Sequence, residues 1–199
     1  MAEHYFTKSP SSEFRQREVE GILRGLELSF VTGSGVFSAK KIDNGTAILV
    51  NKAIVKKNWK ILDLGCGYGV VGVALKKVEP SLEVVFADVN ERAVYLARMN
   101  AKRHEIKAKF IQSDGFEKIK LNFDSILLNP PQTAGRKVCL AMIEDAKDHL
   151  ENGGLLQIVA RNKKGGSLLG KHMEEVFGNM EVIAKKAGYW VYVSERKDI

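Results

Sequence analysis

Along the 199-residue chain, short apolar runs alternate with longer segments in which apolar positions recur every three or four residues. The first rhythm belongs to buried strands and the second to amphipathic helices. Residues 1–20 follow neither rhythm; they are polar and read as irregular. Residues 19–31 read as strand material with a turn at Arg24-Gly25, followed by a loop at Thr32-Gly33-Ser34-Gly35. Asp43-Asn44-Gly45-Thr46 is a second loop, in which Thr46 is expected to cap a helix over 47–57. From Trp59 onward the alternation is regular. Strands are expected at 60–65, 83–87, 108–112, 123–128 and 155–160, with helices at 70–77, 91–103, 137–150 and 167–177. Asn152-Gly153-Gly154 is expected to stop the third of these helices. Strands alternating with helices imply a parallel sheet covered on both faces. Two closing strands, 180–185 and 189–194, share so short a turn at Ala187-Gly188 that they must pair antiparallel.

Composition narrows the class. Hydrophobic residues make up 45% of the chain, enough for a core and too many for a mainly disordered protein. Apolar runs such as Ala47-Ile48-Leu49-Val50 fall far short of the about 20 residues a membrane-spanning helix needs, so no membrane partner is expected. The stretch from Met1 to Lys8 contains no apolar signal core, and a cytoplasmic location is expected. Cys66 and Cys139 belong to no Cys/His cluster, which argues against a disulfide framework and against a metal site. The net charge of +7 is compatible with a polyanionic partner. Lys56-Lys57, Lys76-Lys77 and Lys185-Lys186 read as solvated faces.

The segment Asp63-Leu64-Gly65-Cys66-Gly67-Tyr68-Gly69 lies between a strand and a helix. Glycines there let the backbone turn tightly and approach a ligand, while the helix start presents free N–H groups. The next strand ends at Asp88-Val89, where a carboxylate can accept both hydroxyls of a ribose. Two readings stay open on these residues. Gly67 to Gly72 is a literal G-x-G-x-x-G, with Asp88 at a distance suited to NAD and hence to an oxidoreductase. The frame Asp63-x-Gly65-x-Gly67-x-Gly69 instead suits S-adenosylmethionine (SAM), which has no pyrophosphate. Asp114-Gly115, after the third strand, would meet an adenine amine.

Asn129-Pro130-Pro131 follows the fourth strand at the same sheet edge. Proline fixes its own φ and holds the preceding residue extended. The side-chain oxygen of Asn129 and the backbone oxygen of Pro130 become two convergent acceptors. An exocyclic amine is a poor nucleophile because its lone pair is delocalised. Two acceptors gripping its N–H groups localise that pair and stabilise the charge that develops on nitrogen.

With these residues in order, the chain resembles the class I SAM-dependent methyltransferases of the RsmC-like type, the small-subunit ribosomal RNA guanine-N2 methyltransferases. His4-Tyr5-Phe6, Gly35-Val36-Phe37-Ser38 and Asp43-x-Gly45-Thr46 are similar to that group's N-terminal extension. The resemblance implies an α/β, Rossmann-like fold with a seven-stranded, mostly parallel sheet and an antiparallel last strand. It implies an extension over 1–45, with short strands packing on a methyltransferase domain over 46–199. SAM would be the donor, held by Asp63, Gly65, Cys66, Gly67, Gly69, Asp88, Val89, Asp114, Gly115, Asn129 and Thr46, with Asp43 near the cofactor. Asn129, Pro130 and Pro131 would be catalytic. Many amino methyltransferases place an aromatic residue after Asn-Pro-Pro to stack on the target base, whereas this chain has Gln132. Phe37 or Tyr68 is the candidate replacement. Phe37, Gln132, Arg136, Arg161, Lys163 and Lys164 are expected to meet an RNA substrate, either free ribosomal RNA or a small-subunit particle, and a monomer is expected. Adenine N6 and a protein glutamine amide are alternative acceptors. A non-catalytic RNA-binding protein is a further alternative.

Overall fold

The computed structural model describes residues 7–9 and 13–198, the side chain of Gln132 excepted. The motif His4-Tyr5-Phe6 lies outside the described residues. An antiparallel hairpin comes first, β1 (Gln16–Leu23) and β2 (Leu26–Gly33). Its two-residue turn puts Arg24 and Gly25 at φ of 49° and 80°, the conformation that suits tight hairpins. The hairpin outruns the expected 19–31 because pairing continues through Gln16, Arg17 and Glu18, which are exposed and leave no apolar signal.

The remaining elements are α1 (Asn44–Lys52), β3 (Lys60–Leu64), α2 (Val70–Val78), β4 (Glu83–Asp88), α3 (Glu91–Arg103), β5 (Lys109–Gln112), β6 (Phe123–Leu128), α4 (Arg136–Asp148), β7 (Leu150–Arg161), α5 (Gly166–Phe177), β8 (Glu181–Lys186) and β9 (Tyr189–Glu195). Short 3-10 turns occupy Gln132–Ala134 and Asn162–Lys164. Strands β3 to β9 form one seven-stranded sheet in the order β5-β4-β3-β6-β7-β9-β8. Pairing is parallel from β5 to β7, and β9 is antiparallel to both its neighbours. This is the expected sheet, with the last strand inserted one place from the edge.

Successive residues of each central strand enter opposite cores. Ile61, Val84, Phe86, Leu127 and Val159 pack under α1, α2, α3 and the hairpin. Leu62, Val85, Ile126, Leu128 and Ile158 pack against α4 and α5. Both faces are covered, which is why these strands read as continuous apolar runs rather than as alternation. The chain reverses direction across the sheet between β3 and β6. In open α/β sheets, that switch point opens a crevice at the carboxyl ends of the strands.

Three expectations need correction. Asp43, not Thr46, is the N-cap of α1: its Oδ2 accepts the Thr46 N–H at 2.9 Å. Helix α1 stops at Lys52 rather than 57, because other groups take the backbone at its end. Arg24 Nε donates to the Val50 carbonyl at 2.6 Å, and its terminal nitrogen donates to that of Ala53. Gln157 grips the N–H and C=O of Ile54 at 2.8 and 2.7 Å. Finally, α4 ends at a His149 cap, and Asn152-Gly153-Gly154 lies inside β7, where the β6–β7 register slips.

Candidate active site

The carboxyl ends of β3, β4, β5 and β6 open into one cavity of about 580 Å³, within the size range of small-molecule sites. Asp63 lies beneath the turn after β3. It is 3% exposed, and its Oδ2 accepts the Gly72 N–H of α2 at 2.9 Å. Burial pushes its carboxyl up to about 8; the Gly72 bond opposes this and the charge of Asp88 adds to it. Gly65 and Gly67 have φ of 65° and 52°, and a Cβ at either would meet open space. The left-handed conformation requires glycine there, and the bare backbone is left for a ligand to press against. Gly69 plays a different part. It is the N-cap of α2, packs against Ala97 and does not line the cavity.

Asp88 holds the next wall. Its Oδ2 accepts the Gly67 N–H and its Oδ1 the Asn90 N–H, both at 2.9 Å. One carboxylate therefore ties the glycine turn to the β4–α3 loop while facing the cavity beside Val89. Burial raises it to about 6, and N–H donors from Asn90, Gly67 and Val89 hold it down. Asp114, Gly115, Phe116 and Glu117 line the cavity after β5.

Asn129 ends β6. Its Nδ2 donates to Asp43 Oδ2 at 3.1 Å and to Thr46 Oγ1 at 3.0 Å. With both amide hydrogens committed, Oδ1 is left as the acceptor. The same Asp43 oxygen caps α1 and anchors Asn129, so the start of one helix sets the orientation of the amide at the end of another strand. An Asp before an apolar run ordinarily signals a helix cap. Its second role depends on topology, which carries no local signature. Pro130 and Pro131 complete this wall.

Phe37 and Val138 line the cavity while 38% and 43% exposed, forming apolar lips. Tyr68, the other stacking candidate, is 4% exposed and sits edge-to-face with Phe30. Val138 and Met142 of α4 line the cavity together with Ala141 and Asp145. Gln132 opens the 3-10 turn after Pro131. Arg136, Arg161, Lys163 and Lys164 are exposed at the same sheet edge but outside the cavity lining. Among the described residues, no cluster of three or more His, Cys, Asp or Glu is placed to hold a metal ion, and no helix is long and apolar enough to cross a membrane.

Gly72 belongs to the glycine frame that suits NAD, yet it serves packing in either frame: a Cβ there would lie 2.4 Å from the Phe86 ring. Comparison with known proteins decides between the two frames. The seven-stranded sheet with its inserted antiparallel strand, opening at the switch point onto this cavity, is that of a Rossmann-like SAM-dependent methyltransferase. The chain belongs to the methyltransferase small domain family, whose model matches residues 27–193. It is 36% identical to the protein YbxB of Bacillus subtilis over 200 residues, covering 98% of this chain and 100% of that one. It is 34% identical to the ribosomal RNA small subunit methyltransferase C of Hamiltonella defensa, over 91% of this chain and 52% of that protein. The 16S rRNA N2 G1207 methyltransferase (RsmC) of T. thermophilus, solved with AdoMet and guanosine, superposes with a TM-score of 0.81 at 27% identity, over 94% of this chain and 52% of that one. The chain thus spans about half the length of these two ribosomal RNA methyltransferases.

Proposed function

We propose that the chain methylates an exocyclic amine of RNA, and that this amine is guanine N2 in small-subunit ribosomal RNA. The oriented amide of Asn129 carries the chemical half of the reading. The ribosomal RNA methyltransferases of Hamiltonella and T. thermophilus, as relatives of the chain, support the RNA half.

The cavity suits SAM. Gly65, Cys66 and Gly67 present backbone to its amino-acid part, and Asp63 supports that turn from below. Asp88 takes the ribose hydroxyls, and Val89, Asp114 and Gly115 take the adenine. Bound SAM supplies an electrophilic methyl group on a sulfonium, which departs as a neutral thioether. This chain's residues position the acceptor. Asn129 Oδ1 and the Pro130 carbonyl accept the two amine hydrogens, turning the nitrogen lone pair toward the methyl. The nitrogen gains an N–C bond and releases one proton to water. Neither acceptor is basic enough to keep that proton.

Asp43 favours guanine over adenine. Its Oδ2 is used by Thr46 and Asn129, while Oδ1 takes none of those bonds. Guanine carries an N1–H donor beside N2, which suits a further acceptor there. Adenine carries an N1 lone pair beside N6, which an acidic oxygen repels. Phe37 supplies the stacking face, in place of the aromatic residue whose position Gln132 occupies. Such stacking contributes ~1–3 kcal/mol per base.

The test is where isotopic label goes. Parent protein and labelled SAM are incubated separately with unmodified small-subunit RNA, the assembled particle, tRNA and total protein. Label in small-subunit RNA or its particle is the expected result. Label confined to protein or tRNA would overturn the reading.

A further inference from the structure

We propose that the loop after β7 and the β8–β9 turn together form an RNA-docking strip, which holds phosphates flanking the target nucleotide. The inference rests on the RNA reading above and adds where the RNA lies. In sequence, Lys185-Lys186 reads as an ordinary solvated face. The fold moves it. Strand β8 runs parallel to β7, so both end at the carboxyl edge where the cavity opens. The Asn162 N–H donates to the Gly188 carbonyl at 3.0 Å, and Tyr192 Oη donates to Asn162 Oδ1 at 2.9 Å. These bonds clip the two turns into one surface.

That surface gathers Arg161, Lys163, Lys164, Lys185 and Lys186, all exposed. None of them enters an ion pair among the described residues. No acidic residue occurs between Glu151 and Glu174, or between Glu181 and Glu195. The acids of the β8–β9 hairpin, Glu181 and Glu195, sit at its opposite end. The opposite edge of the sheet differs. There Lys102 and Lys107 are interleaved with Glu105, and Arg103 pairs with Glu18 at 2.7 Å.

Aromatic rings support two of the cations. The Arg161 guanidinium lies 5.0 Å from the Tyr189 ring centre, with Nε donating to Tyr189 Oη at 2.9 Å. The Lys185 ammonium lies 4.1 Å over Trp190. The strip is also continuous with the catalytic wall. A Cβ on Gly45 would come within 2.8 Å of the Tyr189 ring and 2.9 Å of Asp43 Oδ2. Exposed cations neutralising phosphates give affinity that falls with salt by a logarithmic slope of roughly 0.7–0.9 per phosphate contacted.

The experiment is filter binding of a labelled small-subunit ribosomal RNA transcript across a salt series. The double variant Lys185→Glu/Lys186→Glu is compared with Lys102→Glu/Lys107→Glu, which makes the same charge change at the opposite edge. SAM affinity, measured by calorimetry, reports folding. The strip variant should bind RNA roughly ten-fold or more weakly at about 0.1 M salt, with a slope reduced by about 1.5. The opposite-edge variant should lose far less. Equal losses would reduce the effect to net charge and overturn the proposal, as would parent-like binding by the strip variant. Should the strip variant lose SAM binding, Lys163→Gln/Lys164→Gln on the separate loop must show the lower slope, and an unchanged slope there overturns the proposal. A parent that binds SAM but no RNA at any salt overturns the RNA reading itself, and the strip with it.

Discussion

Asn129 can turn either end of its amide toward the cavity, and the proposed reaction uses only the oxygen end. Asp43 and Thr46 make that choice. Thr46→Val keeps the shape and removes the Oγ1 acceptor, so one amide hydrogen loses its partner. Losing one such bond costs on the order of 1 kcal/mol, and kcat should fall about ten-fold with SAM affinity unchanged. Thr46→Ser should restore it. Asn129→Ala should cost more, about 10²–10³ in kcat. Titrating SAM into each variant checks the split: if cofactor affinity falls in step with kcat, Asn129 serves the cofactor rather than the acceptor. The buried carboxyls make a second prediction. Asp88 and Asp63 keep their protons to about 6 and about 8, whereas an unfolded chain releases them near 4. Unfolding therefore releases protons between those values. The stability these groups contribute is full below about pH 4 and is lost as pH rises through 6 and then 8. Cationic SAM favours the ionised forms, so its affinity should rise over the same window. Melting curves and SAM titrations from pH 5 to 9 test both trends, and Asp63→Asn should flatten the upper half of each.

Helix α1 connects the hairpin to the cavity wall that carries Asn129. Its N-terminus carries Asp43 and Thr46, and its last carbonyls are held by Arg24 from the β1–β2 turn. Arg24→Asn tolerates the left-handed turn and removes that grip. Charged hydrogen bonds contribute ~1.5–3 kcal/mol each, so the melting temperature should fall by several degrees. The kcat should fall with it, while SAM affinity at temperatures well below melting stays near the parent's. Loss of SAM affinity with kcat preserved would place α1 on the cofactor side of the site. The strand–helix alternation was legible because each central strand buries both faces and each helix buries one. The ends of α1 and α4 were not legible. Arg24 and Gln157 reach the end of α1 from distant positions, and the glycines expected to stop α4 serve a strand irregularity instead. Asp63, Gly65, Gly67 and Asp88 were legible as a group at one sheet edge, and all four line the cavity, because a turn that must bare its backbone requires glycines in a fixed place.

Over the whole molecule, charge and topology decide what surrounds the cavity. Lysines from β8 join those after β7 only because β9 inserts between those two strands. A reading along the chain sees two unrelated basic pairs. The same holds for Asp43, which lies 86 residues from Asn129 in sequence and 3.1 Å from it in space. A sheet that brings loops from both halves of the chain to one edge sets the cavity beside the proposed basic strip. The central claim is that this cavity modifies guanine N2. Its most direct test is to digest methylated small-subunit RNA to nucleosides and identify the labelled product by mass spectrometry. The account predicts N2-methylguanosine, absent when the protein carries Asn129→Ala. Label recovered as N6-methyladenosine would contradict the assignment of Asp43 and of guanine.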